Sequence, residues 1–374
     1  MTTRILFIVP SLQTAGDLIE LHSLQAGLSA DQYDLHGLSF SSGQPVAMPA
    51  SLASENWTTI TRRTPTDFAA WWKFRRYLRR LEPHIIHFWQ PLDDAWTTLL
   101  TDILYRGTIV LSLKDPAPYQ IHHPSLATRW VCKRPYQFIT TTACLRKQLL
   151  AAGTAEGRCT VIPATVPREP IDTNKSSLLS ELGLPAHSRL IGSLNPMQSW
   201  KQIQDLIWIT AVLRVATDDI HLVMNGHGPQ CERLQQFARQ AEIQQHVHWI
   251  DSSRNVNDWL PKVDCYASTT RHLGHSAGIL HAMSAAIPIT ALDCPGNRDL
   301  IASDDYGRLT PAGNCGAMAR ALWSLLGDTA LAGQLGQQAH DQLEKLSTTA
   351  AMVQSHHEIY QSLPIGGPLP RPFA

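Results

Sequence analysis

Residues 265–283 read CYASTTRHLGHSAGILHAM and hold one complete strand–turn–helix unit. The run from Cys265 to Ser268 predicts a buried strand, and the apolar spacing from Ala277 to Ala286 predicts a helix. Gly274 and Ser276 lie at the loop-to-helix junction, where free backbone N–H groups suit a phosphate. The stretch is therefore one βα step, and a chain of such steps builds a parallel sheet.

The same rhythm extends in both directions along the chain. In the second half, further strands are expected at 189–194, 221–225, 247–250 and 288–291, with helices between them. In the first half, strands are expected at 4–9, 33–40, 84–89, 108–113, 137–140 and 159–163. The rhythm lapses over 164–188, a proline-rich stretch that predicts a linker with one short helix. Two doubly wound α/β halves follow from this pattern, with ligands expected at the carboxyl ends of the strands.

Composition narrows the classes of protein. The chain has 374 residues, 44% hydrophobic and 17% charged, which is a globular composition with room for two domains. Lys plus Arg (31) balance Asp plus Glu (31), so a bulk nucleic-acid binder is disfavoured. Seven scattered cysteines form no C-x-x-C pair, and no apolar run approaches a membrane span. We therefore expect a reduced, cytoplasmic protein.

Two more glycine turns follow strands of the second half. Residues 225–230 read NGHGPQ, and residues 293–300 read DCPGNRDL. Each turn precedes a predicted helix, and glycine lets a backbone approach a ligand closely. Each alone is also typical of a tight βα turn. Three such turns on one sheet edge favour a binding site.

These turns carry a family resemblance. The second half resembles the C-terminal domain of the retaining group 1 glycosyltransferases, which read G-D-G-P, then E-G-x6-E-A-M-A-x-G-x-P, then P-G-N-R-E. The matching residues are Gly226, Gly228, Pro229, Gly274, Ala282, Met283, Pro288 and Pro295 to Arg298. In the first half, SLQTAG at 11–16 resembles the family's G-G-A-E loop, and Ile85-Ile-His87 resembles its V-V-H. Val161-Ile-Pro163 resembles the V-I-P before the family's linker.

The resemblance implies the GT-B architecture, α/β with two Rossmann-like doubly wound domains facing across a cleft. The implied organisation is an acceptor-side domain at 1–165, a linker at 166–186 and a nucleotide-sugar domain at 187–346. A helix at 347–363 would cross back to the first domain before a loose tail at 364–374. The implied reaction transfers a sugar with retention from a UDP- or GDP-linked donor to an unknown glycan or lipid-linked acceptor, without a metal.

The resemblance also implies roles for individual residues. His87 and Lys201 would be catalytic, with His87 facing the sugars and Lys201 stabilising the leaving diphosphate. The implied donor-binding residues are Gly16, Ser193, Lys201, Gly228, Gly274, His275, Ser276, Ala277 and His281.

Three positions depart from the family pattern. Leu273 and His281 stand where the family has its two glutamates, and Ser193 stands where it has an arginine. A charge-assisted hydrogen bond is worth roughly 1.5–3 kcal/mol, so losing two or three such bonds could cost about 3–9 kcal/mol. Compensation could come from Arg271, His272 or His275. The active site is therefore degenerate, and a catalytically inactive binding module is the alternative.

Other chemistries also fit parts of the chain. Gly274 to Gly278 matches the G-x-S-x-G nucleophile elbow of serine hydrolases, with Ser276 as nucleophile. Its partners would be Asp304 or Asp305, and His356 or His357. His272, His275 and His281 lie close in sequence, but three unrelated histidines are favoured over a metal site.

The segment Trp71 to Arg80 is basic and aromatic at helical spacing. It predicts either an ordinary amphipathic helix or one that contacts an anionic membrane surface from the cytoplasmic side.

Overall fold

A computed structural model of the chain shows two compact units, Met1–Ala164 with Thr349–Ala374 (unit 1) and Thr165–Thr348 (unit 2). The structure describes residues 2–9, 15–41, 56–64, 67–89, 95–105, 107–114, 125–167, 171–195, 197, 202–225, 228, 230–251, 254–271 and 273–364.

Unit 1 is built on a parallel sheet of seven strands in the order β3-β2-β1-β4-β5-β6-β7. The strands are β1 (Thr3–Val9), β2 (Tyr33–Ser41), β3 (Trp57–Thr61), β4 (Ile85–Trp89), β5 (Thr108–Leu113), β6 (Gln137–Thr140) and β7 (Cys159–Val161). The central strands are continuous apolar runs, as expected for strands covered by helices on both faces.

The helices of unit 1 include one from the end of the chain. They are α1 (Ala15–Gly27), α2 (Phe68–Leu81), α3 (Ala95–Leu104), α4 (Leu126–Cys132), α5 (Ala143–Ala151) and the C-terminal helix Thr349–Ser362. Met352 and Tyr360 of that last helix are buried in one core cluster with Phe7 of β1 and Trp89 of β4.

Unit 2 repeats the arrangement with six parallel strands in the order β10-β9-β8-β11-β12-β13. The strands are β8 (Arg189–Ser193), β9 (Ile220–Asn225), β10 (Val247–Ile250), β11 (Cys265–Ser268), β12 (Ile289–Leu292) and β13 (Arg308–Thr310). The helices are α6 (Lys175–Glu181), α7 (Ile203–Arg214), α8 (Cys231–Gln240), α9 (Ala277–Ser284), α10 (Pro295–Leu300), α11 (Cys315–Gly327) and α12 (Thr329–Leu346). The C-terminal helix of unit 1 is then α13.

Both sheets have the doubly wound order in which the strand sequence reverses beside the first strand, β1 in unit 1 and β8 in unit 2. The predicted α/β class is confirmed. No helix within the described residues is long and apolar enough to span a bilayer.

Candidate functional site

The strand order of unit 2 reverses between β8 and β11, which pair through Cys265 with Ile191 and Tyr266 with Gly192. In doubly wound sheets, ligands bind in the crevice outside the carboxyl ends of the strands at this point. Residues that follow β8, β9 and β11 therefore define the candidate site.

A chain of buried polar groups links these strand ends. The Asn195 amide N–H donates to Asn225 Oδ1 at 3.0 Å, and Asn195 Nδ2 donates to Ser193 Oγ at 3.2 Å. Thr270 Oγ1 donates to Asn195 Oδ1 at 3.3 Å. The cluster contains the predicted residue Ser193 and also Asn195, Asn225 and Thr270, which the sequence analysis did not single out. Their signal was a polar residue at or just after the end of a buried strand.

Gly228 occupies a position that glycine alone fits easily. Its φ is +140°, and a Cβ there would lie 2.7 Å from the backbone nitrogen of Met197. The Gln230 N–H donates to the Met197 carbonyl at 3.0 Å, which fixes the two loops side by side. Gly226 and Pro229 lie outside the described residues.

Helix α9 begins at this same sheet edge. Ser276 is its N-cap, and its Oγ accepts from the Ile279 N–H at 3.4 Å. A Cβ on Gly278 would lie 2.6 Å from the Leu194 carbonyl and overlap the Tyr266 hydroxyl, so the helix packs closely on the end of β8. Gly274 precedes the cap, and Ala277 is the first helical residue.

Two histidines lie at α9 and are nearly enclosed. His275 is 7% exposed, and its Nε2 lies 4.0 Å from Asp299 Oδ2. His281 is 4% exposed, inside α9. Leu273, which takes the position of the family's first glutamate, is also buried.

Arg271 supplies a positive charge beside the cluster. It is exposed, directly after Thr270. Burial raises the pKa of Asp205, in the first turn of α7, and the Arg271 charge opposes that rise. The neighbouring Thr269 hydroxyl donates to the Gln202 carbonyl at 2.9 Å, which ties the end of β11 to the residue before α7. Lys201 lies outside the described residues.

His87, which the resemblance implies to face the sugars, is a buried residue of unit 1. It lies in β4 of unit 1 with no exposed surface, and both ring nitrogens are occupied. Nδ1 is 2.6 Å from Tyr360 Oη, and Nε2 is 2.7 Å from Ser112 Oγ. Burial holds its pKa well below the ordinary value for histidine. The side chain is part of the core of unit 1, and a role of His87 toward the sugars stays a prediction. Gly16 is the second residue of α1 in the same unit.

A buried ion pair in unit 1 also escaped the sequence analysis. Lys114 directly follows β5, and its Nζ is 2.9 Å from Glu20 Oε1 and 4.3 Å from the centre of the Trp89 ring. Both charged side chains are nearly inaccessible. A lone lysine at the end of a run of apolar residues was the available signal.

The serine-hydrolase hypothesis does not fit these contacts. Ser276 Oγ caps α9. His356 Nδ1 is 2.8 Å from the Met352 carbonyl, and His357 Nδ1 is 2.8 Å from Tyr33 Oη, both inside unit 1. In the described part of the chain, no three metal-ligating side chains are placed to hold an ion. His272 lies outside that part.

Two Rossmann-like units of this topology are the GT-B architecture of glycosyltransferases. Residues 189–328 match the family model "Glycosyl transferases group 1", and residues 19–169 match "Glycosyltransferase Family 4". The chain belongs to the group 1 glycosyltransferases.

Solved structures with the same fold cover nearly the whole chain. Anabaena HepE in complex with UDP-glucose has a TM-score of 0.80 at 17% identity, over 96% of this chain and 100% of that one. Sucrose-phosphate synthase of Thermosynechococcus elongatus has a TM-score of 0.76 at 16% identity, over 96% and 98%.

Curated relatives match over shorter stretches. The N-acetyl-alpha-D-glucosaminyl L-malate synthase of Bacillus anthracis is 22% identical over 186 residues, 50% of this chain and 48% of that protein. An uncharacterized glycosyltransferase of Haemophilus influenzae is 24% identical over 153 residues, 41% and 43%. The chain thus spans under half the length of these relatives.

Proposed function

We propose that the protein is a nucleotide-sugar-dependent glycosyltransferase that transfers a sugar to a glycan or lipid-linked acceptor with retention. The observation that carries the proposal is the start of α9 against the polar ends of β8 and β11, at the reversal of the strand order. The UDP-glucose in the HepE structure supports this donor class. A UDP- or GDP-linked sugar is the proposed donor.

The leaving diphosphate is the group that this site is best suited to bind. The amides from Gly274 to Ser276 and the positive end of α9 favour an anion. Exposed Arg271 offers the guanidinium that Ser193 does not, and Lys201, which lies outside the described residues, keeps the role that the family resemblance implies. Because anionic charge grows on the diphosphate as the sugar leaves, these groups stabilise the transition state more than the ground state.

His281 takes the ribose contact in this proposal. An imidazole nitrogen can make one hydrogen bond to a hydroxyl where a carboxylate makes two. The Leu273 side chain has no hydrogen-bonding group, so contact with the donor sugar at that position is apolar. The incoming acceptor attacks on the face from which the diphosphate departs.

Titration calorimetry with UDP, GDP, ADP and their sugars tests the donor site. We expect one nucleotide to bind with micromolar affinity and His281→Ala to weaken it by about tenfold, the value of one hydrogen bond of roughly 1.4 kcal/mol. His221→Ala is the matched control, because His221 is equally buried but lies at the amino end of β9. Absence of binding by every nucleotide, or equal loss in both variants, would contradict the proposal.

The second candidate is a binding module without turnover. The joint replacement of two glutamates and an arginine by Leu273, His281 and Ser193 favours it. This case would be identified by nucleotide binding with neither hydrolysis of the donor, however slow, nor transfer of the sugar. In that event, His281→Glu with Ser193→Arg should raise donor hydrolysis, since both restore family groups.

A further inference from the structure

Helix α2 of unit 1 presents a surface of unusual composition. Its 14 residues carry five cations and not one carboxylate, in a chain whose formal net charge is zero. One exposed face of this helix combines aromatic and basic side chains. This basic aromatic face consists of Phe68, Trp72, Lys73, Arg76, Arg79 and Arg80.

Contacts at both ends and on the inner side of α2 fix its position, so the orientation of the exposed face is set by the fold. Asp67 caps it by accepting from the Ala70 N–H at 3.1 Å. At the other end Glu82 adopts φ +48° and its N–H donates to the Leu78 carbonyl. On the inner face, Phe74 is fully buried in edge contact with the ring of Phe40. The backbone of the helix is therefore already ordered, and docking of the outer face orders only side chains.

The two aromatic side chains of the face are largely exposed to solvent. Phe68 is 87% exposed and Trp72 is 63% exposed. Both lie near the amino end of the outer face, four residues apart, and Arg76 continues the same row. The Arg76 guanidinium lies 5.8 Å from the Trp72 ring, so the cation and the aromatic ring share one surface. Large side chains left in water on one face mark an interaction site.

Other helices of unit 1 add exposed apolar side chains. Trp96 and Ile103 on α3 are 58% and 47% exposed, and Leu126 at the start of α4 is 84% exposed. Unit 1 therefore carries large exposed apolar groups together with a concentrated positive charge.

We propose that the basic aromatic face of α2 docks the protein on an anionic lipid bilayer. Phe68 and Trp72 would enter the interface, where amphipathic rings are stabilised, and the lysine and arginines would meet lipid phosphates. Charge complementarity selects this occupant. A second copy of the same face would repel the first, and a neutral apolar partner would leave the four cations of the face desolvated without counter-charges. The inference does not depend on transfer activity.

Co-sedimentation with vesicles tests the proposal directly. We expect the full chain to sediment with an equal mixture of phosphatidylcholine and phosphatidylglycerol but not with phosphatidylcholine alone. Raising the salt from about 0.1 M to about 1 M shortens the Debye length from ~10 Å to ~3 Å and should release most of the protein. Equal binding to both vesicle types, or none to either, would overturn the proposal.

Matched variants locate the docking face. Arg76→Glu with Arg79→Glu should lower partition into anionic vesicles at least about 25-fold, since each cation near the surface contributes roughly fivefold. Phe68→Ala with Trp72→Ala should lower it at least about tenfold. The controls are Arg233→Glu with Arg239→Glu on α8, which are equally exposed, and Trp208→Ala on α7, which is 52% exposed.

The outcomes separate the possible occupants. Loss confined to the α2 variants, with unchanged thermal melting, supports the bilayer. Equal loss in the unit 2 controls would overturn it, because binding would then follow total charge. So would a dimer in solution that Trp72→Ala dissociates while vesicle binding persists, because a second copy would cover the face.

Discussion

His356 of α13 is fully buried, and burial disfavours its protonated form in the folded state. Burial lowers its pKa to about 3, and the positive charge of Lys114 acts in the same direction. The groups around it are the rings of His87, Trp89 and Tyr360 and the Met352 carbonyl. In the unfolded chain the imidazole takes up a proton near its ordinary pKa of about 6.5. Between those values only the unfolded state is protonated, so stability falls as the pH falls.

His356→Leu should therefore make unit 1 less sensitive to acid. From about pH 6.5 to about pH 4.5 the wild type should lose about 2–3 kcal/mol through this residue, and the variant should not. Urea unfolding followed by hydrogen exchange in β4 measures the difference. Exposed His187→Leu is the control and should leave the acid sensitivity unchanged. Identical pH dependence in the wild type and His356→Leu would contradict the expectation.

His87, which contacts His356, shows why the surroundings of a single residue are hard to predict from the sequence. The pattern around His87 matched a functional motif, but all five residues of β4 are buried. A strand covered on both faces has no polar side, so alternation cannot tell an inward histidine from a ligand-facing one. The glycines were more predictable. Gly228 has a positive φ and Gly278 packs tightly, and both backbone requirements leave a mark in the sequence.

Helix α9 offers a test at the scale of one element. Gly278→Ala would push a methyl group against the Leu194 carbonyl and Tyr266, and such overpacking costs roughly 1–3 kcal/mol. Gly333→Ala in α12 has open space around it and should gain about 0.5–1 kcal/mol from helix propensity. Thermal melting of unit 2 should therefore shift in opposite directions. A Gly278→Ala protein as stable as wild type would show that α9 is not held against β8.

Elements with regular apolar periodicity were predicted from the sequence nearly to their ends. The missed strands β3 and β13 lie at sheet edges. Only one of the five residues of β3 is buried, and β13 has three residues, so neither forms an apolar run. Helix α3 was not predicted because its burial pattern is the reverse of the usual one, with polar residues buried and a large apolar residue exposed. It buries Thr97, Thr98 and Thr101 and exposes Trp96. Thr101 Oγ1 donates to the Thr97 carbonyl at 2.8 Å, so this buried hydroxyl finds its hydrogen-bond partner within the helix itself.

At the scale of the whole molecule, the chain leaves unit 1 after Ala164 and returns to it at Thr349. Helix α13 thereby packs into the core of unit 1. It begins at residue 349, almost 200 residues after β7 (159–161), the last strand of the unit 1 sheet. Hydrogen bonds join α13 to the strands of unit 1. Tyr360 Oη lies 2.6 Å from His87 Nδ1, and His357 Nδ1 lies 2.8 Å from Tyr33 Oη. Unit 1 is therefore discontinuous in sequence, while unit 2 is one continuous segment.

Ending the chain at Thr348 should consequently unfold unit 1 and spare unit 2. The truncation removes the buried side chains of Met352, His356, Ile359 and Tyr360. Burial of each of the other three side chains, Met352, Ile359 and Tyr360, is worth about 1.5–3 kcal/mol, so the loss of about 4.5–9 kcal/mol is comparable to the whole stability of a typical domain. Hydrogen exchange should show β1 and β4 unprotected and β8 and β11 unchanged. Retained protection in β1 would mean that the sheet of unit 1 closes its own core. Loss of protection in β8 as well would mean that the two units fold as one, and either result would contradict a discontinuous, separately folding unit 1.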